Sequence, residues 1–199
     1  MKTLYIDCGM GAAGDMLTAA LLELLPDPEA FLSELNAAGI PGVEYRSEPS
    51  VKCGVTGTHM SVLIHGKEAA AHHRDYHDHD HHTDMRGIEH IVSMLHLSDK
   101  VKAGVLDVYG LIAAAESAVH GVPVADIHFH EVGSMDAIAD VTAVCMLMAR
   151  IAPDEVIVSP VHVGGGQVHC AHGILPVPAP ATAYLLKGVP IYGGEIESE

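Results

Sequence analysis

Basic residues and aromatics are both scarce in this chain. Ten Lys and Arg stand against 26 Asp and Glu, giving a formal net charge of -16 with His neutral. A surface this acidic repels phosphate backbones and anionic headgroups, so neither nucleic acid nor an acidic membrane is expected as a partner. It attracts divalent cations. Aromatics make up 4% of the sequence and Trp is absent, so the 49% hydrophobic content has to form its core from Ala, Val, Leu, Ile and Met. The cysteines Cys8, Cys53, Cys145 and Cys170 contain no Cys-x-x-Cys pair. Neither a zinc ribbon nor a disulfide framework is indicated, and a reduced cytoplasmic setting is the expectation. Cys145 falls in an apolar helical run and reads as core. There is no run of about 18 apolar residues to span a membrane. Asp7 and the glycines after it interrupt any apolar core of a signal peptide.

Histidine is abundant, and it is clustered. His72, His73, His77, His79, His81 and His82 fall in one short stretch, with Asp75, Asp78 and Asp80 between them. Neutral imidazole suits nickel, zinc, cobalt and copper, and the aspartates add oxygen donors. The stretch has no hydrophobic period, so it has no face to bury and reads as a flexible metal-collecting loop. Such a loop suits capture and hand-over of a metal. Chemistry needs a more rigid site.

On either side of this stretch, strand and helix signals alternate. An apolar strand over 3–8 runs into Gly9, Gly11 and Gly14, followed by an Ala/Leu-rich helix to about Leu25. A second helix is predicted over 29–38, and a hairpin over 43–51 and 55–64. Thr83 is placed to cap a helix over 84–95, and Ser98 a longer one ending near Gly121. Residues 126–130 read as extended, 134–150 as a helix, 155–163 as a Val/Ile strand and 181–187 as a short helix. The expected class is α/β: a mixed β-sheet with flanking helices and a disordered His-rich loop. The expected organisation is a strand–helix–helix–hairpin segment over 1–68, the loop over 69–83, and a helical and α/β segment over 84–199. The first and last of these are expected to form one compact domain.

Three places carry candidate chemistry. Asp7, Gly9, Gly11, Gly14 and Asp15 lie where a strand meets a helix. Glycines there let a backbone approach an anion beside free helical N–H groups, and the two carboxylates could instead hold a cation. A tight packing turn fits the same residues, and neither the Walker nor the dinucleotide spacing is present. The second place is His128, His130 and Glu131, followed by Asp136 and Asp140. In an extended segment His128 and His130 share a face, and Glu116 and His120 share one on the preceding helix. These residues are expected to form a metal or catalytic centre. The third is a Gly-rich stretch with His169, Cys170 and His172. Its histidines could join the same metal site, or the stretch could be an ordinary loop.

Several of these segments together resemble the LarC family of nickel-insertion proteins. They are Tyr5 to Met16, Pro49 to Gly57, the His-rich stretch, His128 to Gly133, and His172 to Thr182. The resemblance implies insertion of nickel into pyridinium-3,5-bisthiocarboxylic acid mononucleotide, forming the nickel-pincer cofactor of lactate racemase. It also implies use of CTP with Mn or Mg. It further implies that this chain is the N-terminal, nickel-handling part, whose partner is a missing C-terminal CTP-binding part. Lactate racemase is the implied recipient of the product, and a homo-oligomer is expected. The alternative is a non-catalytic module that stores or delivers nickel, and a zinc hydrolase built on His128 and His130 is a more distant one.

Overall fold

The computed structural model describes residues 1–68, 83–129, 131–170 and 173–194. It is a mixed α/β structure, as expected, and its contacts divide the chain into two units. One comprises Ala13–Asp107 and His128–Ile151; the other comprises Met1–Ala12, Val108–Ile127 and Ala152–Glu199.

The first unit is built on a long hairpin of β2 (Val43–Lys52) and β3 (Val55–Ile64), with Lys67–Glu68 adding a short third strand, β4. Cys53 and Gly54 turn the hairpin with φ of 50° and 81°. Helices α1 (Gly14–Leu22) and α2 (Pro28–Asn36) pack on this hairpin, as does α5 (Met135–Ile151). Asp27 caps α2 by accepting from Ala30 N–H at 3.0 Å, and Pro28 supplies the preset φ of a first helical turn. Asn36, at the end of α2, brackets the backbone of Tyr45: its Nδ2 donates to Tyr45 O at 3.0 Å and its Oδ1 accepts from Tyr45 N–H at 2.8 Å. Tyr45 is itself buried, and its hydroxyl donates to Ala139 O on α5 at 2.8 Å. One polar residue thus joins α2 to β2, and one tyrosine joins β2 to α5. Around them Leu22, Phe31, Leu35, Met60, Ile138 and Leu147 form the core. Helix α3 (Met85–Met94) adds Ile88 and Val92.

Asp84, and not Thr83, caps α3, accepting from Gly87 N–H at 2.8 Å. Thr83 is instead paired in a two-residue strand, β5 (Thr83–Asp84), lying antiparallel to β6 (His128–Phe129). Position 84 is therefore both the last strand residue and the cap. The longer helix α4 (Asp99–His120) starts on Ser98 as expected, with Val101 N–H on Ser98 Oγ at 3.4 Å.

In the second unit β1 (Thr3–Ile6) lies parallel to β7 (Glu155–Val158). The single strand expected over 155–163 is broken at Ser159 and Pro160, because proline cannot donate to a ladder. It resumes as β8 (Val161–His162), parallel to β11 (Ile191–Tyr192). Ser159 N–H to Ile6 O at 3.0 Å and His162 N–H to Cys8 O at 3.0 Å carry the first pairing across the break. The stretch read as a possible loop around His169 is the first strand of a hairpin, β9 (Gln167–Cys170) with β10 (Gly173–Pro176). A short helix, α6 (Pro180–Leu185), follows it. No described helix is long and apolar enough to cross a membrane.

Candidate functional site

The glycine turn after β1 spends most of its nearby donors internally. Gly9 N–H donates to Asp7 Oδ1 at 2.9 Å, and Gly11 N–H to Cys8 O at 3.0 Å. Gly11 has φ of 86°, the left-handed region that favours glycine, so the turn itself requires that residue. Cys8 is buried, and its N–H donates to Ser159 Oγ at 2.8 Å. Burial, then the charge of Asp7, pushes the Cys8 thiol up, which keeps it protonated and a poor metal ligand.

Behind this turn stands an imidazole that sequence reasoning missed. His162 accepts from Gly164 N–H through Nδ1 at 3.2 Å, which in the neutral ring leaves the proton on Nε2. Its ring meets Tyr192 edge-on, with centroids 4.9 Å apart, and Tyr192 Oη donates to Gly9 O at 3.5 Å. A Cβ at Gly194 would overlap the same imidazole. The only signal in the sequence was a histidine and a tyrosine at the ends of short apolar strands, far apart along the chain.

In the other unit Gly14 opens α1 against α5. A Cβ at Gly14 would stand 2.5 Å from Cβ, Cγ and Oδ2 of Asp140. Burial, the charge of Asp136 and the charge of Asp15 together push Asp140 up to about 7. The charges of Asp136 and Asp15 therefore both act on Asp140, whose carboxyl holds its proton up to near neutrality. Tyr45 feels the same field: burial first, then Asp140 and Asp136, push its hydroxyl up. Asp15 also turns back on its own helix, accepting from Met16 N–H at 2.7 Å. Thr18 and Thr142 are fully buried, and their hydroxyls have no partner among the described residues.

His128 is exposed on β6, directly opposite Asp84, while its neighbours Ile127 and Phe129 are buried. That alternation is the one expected of an extended segment. His130 lies outside the described residues, as does the Glu131 side chain; Glu131 opens the short 3-10 turn Glu131–Gly133. Gly133 packs closely there, since a Cβ on it would come within 2.8 Å of Phe129 Cβ. In the other unit Glu116 and His120 meet on α4, with Oε2 and Nε2 3.3 Å apart, so the expected i, i+4 pair is formed. His169 lies on β9 opposite Ile174. His72, His73, His77, His79, His81, His82 and His172 lie outside the described residues. Among the described residues no group of three His, Cys, Asp or Glu side chains is arranged to hold a metal ion.

Comparison with known proteins gives one consistent result. The family profile described as "Nickel insertion protein" matches residues 4–199. A pyridinium-3,5-bisthiocarboxylic acid mononucleotide nickel insertion protein of Clostridium kluyveri is 42% identical over 200 residues, covering 100% of this chain and 50% of the relative. The protein of the same name from Geobacillus kaustophilus is 36% identical, covering 100% of this chain and 48% of its own length. A putative nickel insertion protein of Dictyoglomus thermophilum is also 36% identical, with 48% of its length covered. The chain thus spans about half the length of the curated relatives it matches. No solved structure matches it.

Proposed function

Because the chain belongs to the nickel insertion protein family, we propose that it is the nickel-handling part of an enzyme that inserts nickel into pyridinium-3,5-bisthiocarboxylic acid mononucleotide. The observation that carries this reading is the family match over nearly the whole chain, together with relatives named for that reaction. The cyclometallated product is the nickel-pincer cofactor of lactate racemase, which is then the recipient. CTP with Mn or Mg takes part in the complete reaction, bound by the C-terminal part outside these residues. The setting is the cytoplasm.

Division of labour follows from ligand chemistry. His72, His73, His77, His79, His81 and His82 collect nickel, which imidazole binds well but releases. His128, His130 and Glu131 receive it, with Asp136 near the start of the following helix. Two sulfurs of the thiocarboxylate substrate are softer donors than imidazole or carboxylate, and they draw the metal onward. Forming a nickel–carbon bond removes a proton from the ring, and His130 or Glu131 accepts it as general base. Glu116, His120, His169 and His172 are further candidate nickel ligands.

Asp7, Gly9, Gly11, Gly14 and Asp15 serve the nucleotide side of the substrate. With the Gly9 and Gly11 N–H groups already engaged, a divalent cation held by a carboxylate such as Asp7 is favoured there over a bare phosphate cradle. A second reading is a nickel store or delivery module without chemistry, favoured by the six clustered histidines between residues 72 and 82. An assay with nickel, precursor, CTP and Mn separates the two. The enzyme reading predicts insertion once this chain is joined to the rest of the protein, and loss of insertion in His130→Ala with metal uptake retained. Full insertion by His130→Ala would remove that residue from the site, and no insertion by the complete protein would leave the storage reading.

A further inference from the structure

The strands β1 and β7 are apolar, yet apart from Leu4 on β1, which is buried, their apolar side chains are left largely open. No hydrophobic side chain described between residues 152 and 194 is buried, although Val, Ile, Leu and Tyr recur through that stretch. On β7, Val156, Ile157 and Val158 are 43%, 44% and 49% exposed. Consecutive strand residues point to opposite faces, so β7 is open on both. Tyr5, paired with Ile157 and therefore on the same face, is 60% exposed. Ile191 on β11 is exposed as well. Parallel strands are ordinarily buried on both faces, and a short two-stranded ribbon is marginal in water by itself. The helix–hairpin unit behaves differently, since Leu22, Phe31, Leu35, Met60 and Leu147 are buried within it.

We infer that the face carrying Tyr5 and Ile157 is a docking surface for the part of the family protein that these 199 residues do not include. The occupant is a polypeptide with a complementary apolar face that completes the parallel sheet. Two observations favour it over a second copy of this chain. The curated relatives are about twice as long as the region matched here, so in them a further stretch of comparable size accompanies the matched region. A net charge of -16 opposes the stacking of two identical copies. The patch also has the polar rim of an interface: on the same face Thr3 Oγ1 donates to Glu155 Oε2 at 3.2 Å. This inference rests on family membership and not on the proposed nickel chemistry, so each can fail without the other.

The test is covalent surface labelling of the 199-residue chain at two concentrations, alongside the intact Clostridium kluyveri relative. The peptides holding Tyr5 and Ile157 should label strongly in this chain, and the matching peptides of the relative roughly fivefold or more weakly, as burial at an interface core requires. Ile157→Ser should leave the melting temperature of this chain unchanged, while the matching substitution lowers that of the relative. Equal labelling in both proteins would overturn the inference. So would weak labelling of this chain even when dilute, which means the face is already covered within it. Labelling that falls as the chain is concentrated would assign the face to a second copy instead.

Discussion

Asp140 is the residue whose behaviour the structure changes most. Helical spacing paired it with Asp136, but only the fold brings Asp15 from α1 to the same field. A carboxyl raised to about 7 prefers its protonated form in the folded protein. Its contribution is whole below the unfolded value of 3.8 and is lost as pH climbs toward and past 7. Asp140→Asn should therefore raise the unfolding free energy at pH 8 by about 1–2 kcal/mol, after allowing for water that still reaches the carboxyl. Near pH 4 it should change little. Urea melts at the two pH values check both the sign and the window. Gly14 makes the complementary case. It was read as part of an anion-binding loop, with a packing turn as the alternative, and its contact with Asp140 supplies a packing reason for glycine at that position. Gly14→Ala should cost about 1–3 kcal/mol through overlap with α5, measured as a lower denaturation midpoint. His162 was not legible because its partners Tyr192, Gly164 and Gly194 are joined to it by tertiary folding, and no periodicity reports that.

At the scale of elements, most helices and the main hairpin follow their sequence signals. Asp27–Pro28 begins α2, Ser98 begins α4, and Cys53 and Gly54 turn the hairpin, with Lys52 drawn into the end of β2 opposite Val55. Where the expectation moved, the cause is local. Pro160 splits one predicted strand in two. Thr83 lost the capping role to Asp84 because pairing with Phe129 holds residue 83 extended. Gln167–Cys170 and Gly173–Pro176 pair antiparallel, which the surrounding glycines conceal in the sequence. Asp84→Ala should cost about 1 kcal/mol, the usual worth of an N-cap, seen as a lower melting temperature. It also removes the carboxylate from the position facing His128. If the cap alone matters, Asp84→Ser restores stability; if the charge beside His128 matters for metal, nickel affinity stays reduced in that variant.

For the whole molecule, alternating strand and helix signals were enough to indicate a mixed α/β protein, and the combination of motifs was enough to indicate the family. The division into two units was not legible, because it runs through the middle of α4 and depends on contacts distant in sequence. The His-rich stretch has no apolar period, so replacing its six histidines by serine should leave the melting temperature unchanged while lowering the number of nickel ions bound. An unchanged stoichiometry would remove its capture role. The central proposal is that residues 128–131 hold a nickel site separate from the His-rich stretch. Calorimetric titration of nickel into the chain, and into a His128→Ala, His130→Ala variant, tests it most directly. The account predicts two classes of site in the parent chain, with the variant losing the tighter class and keeping the weaker, more numerous ions of the His-rich stretch. An isotherm unchanged by the two substitutions would contradict it.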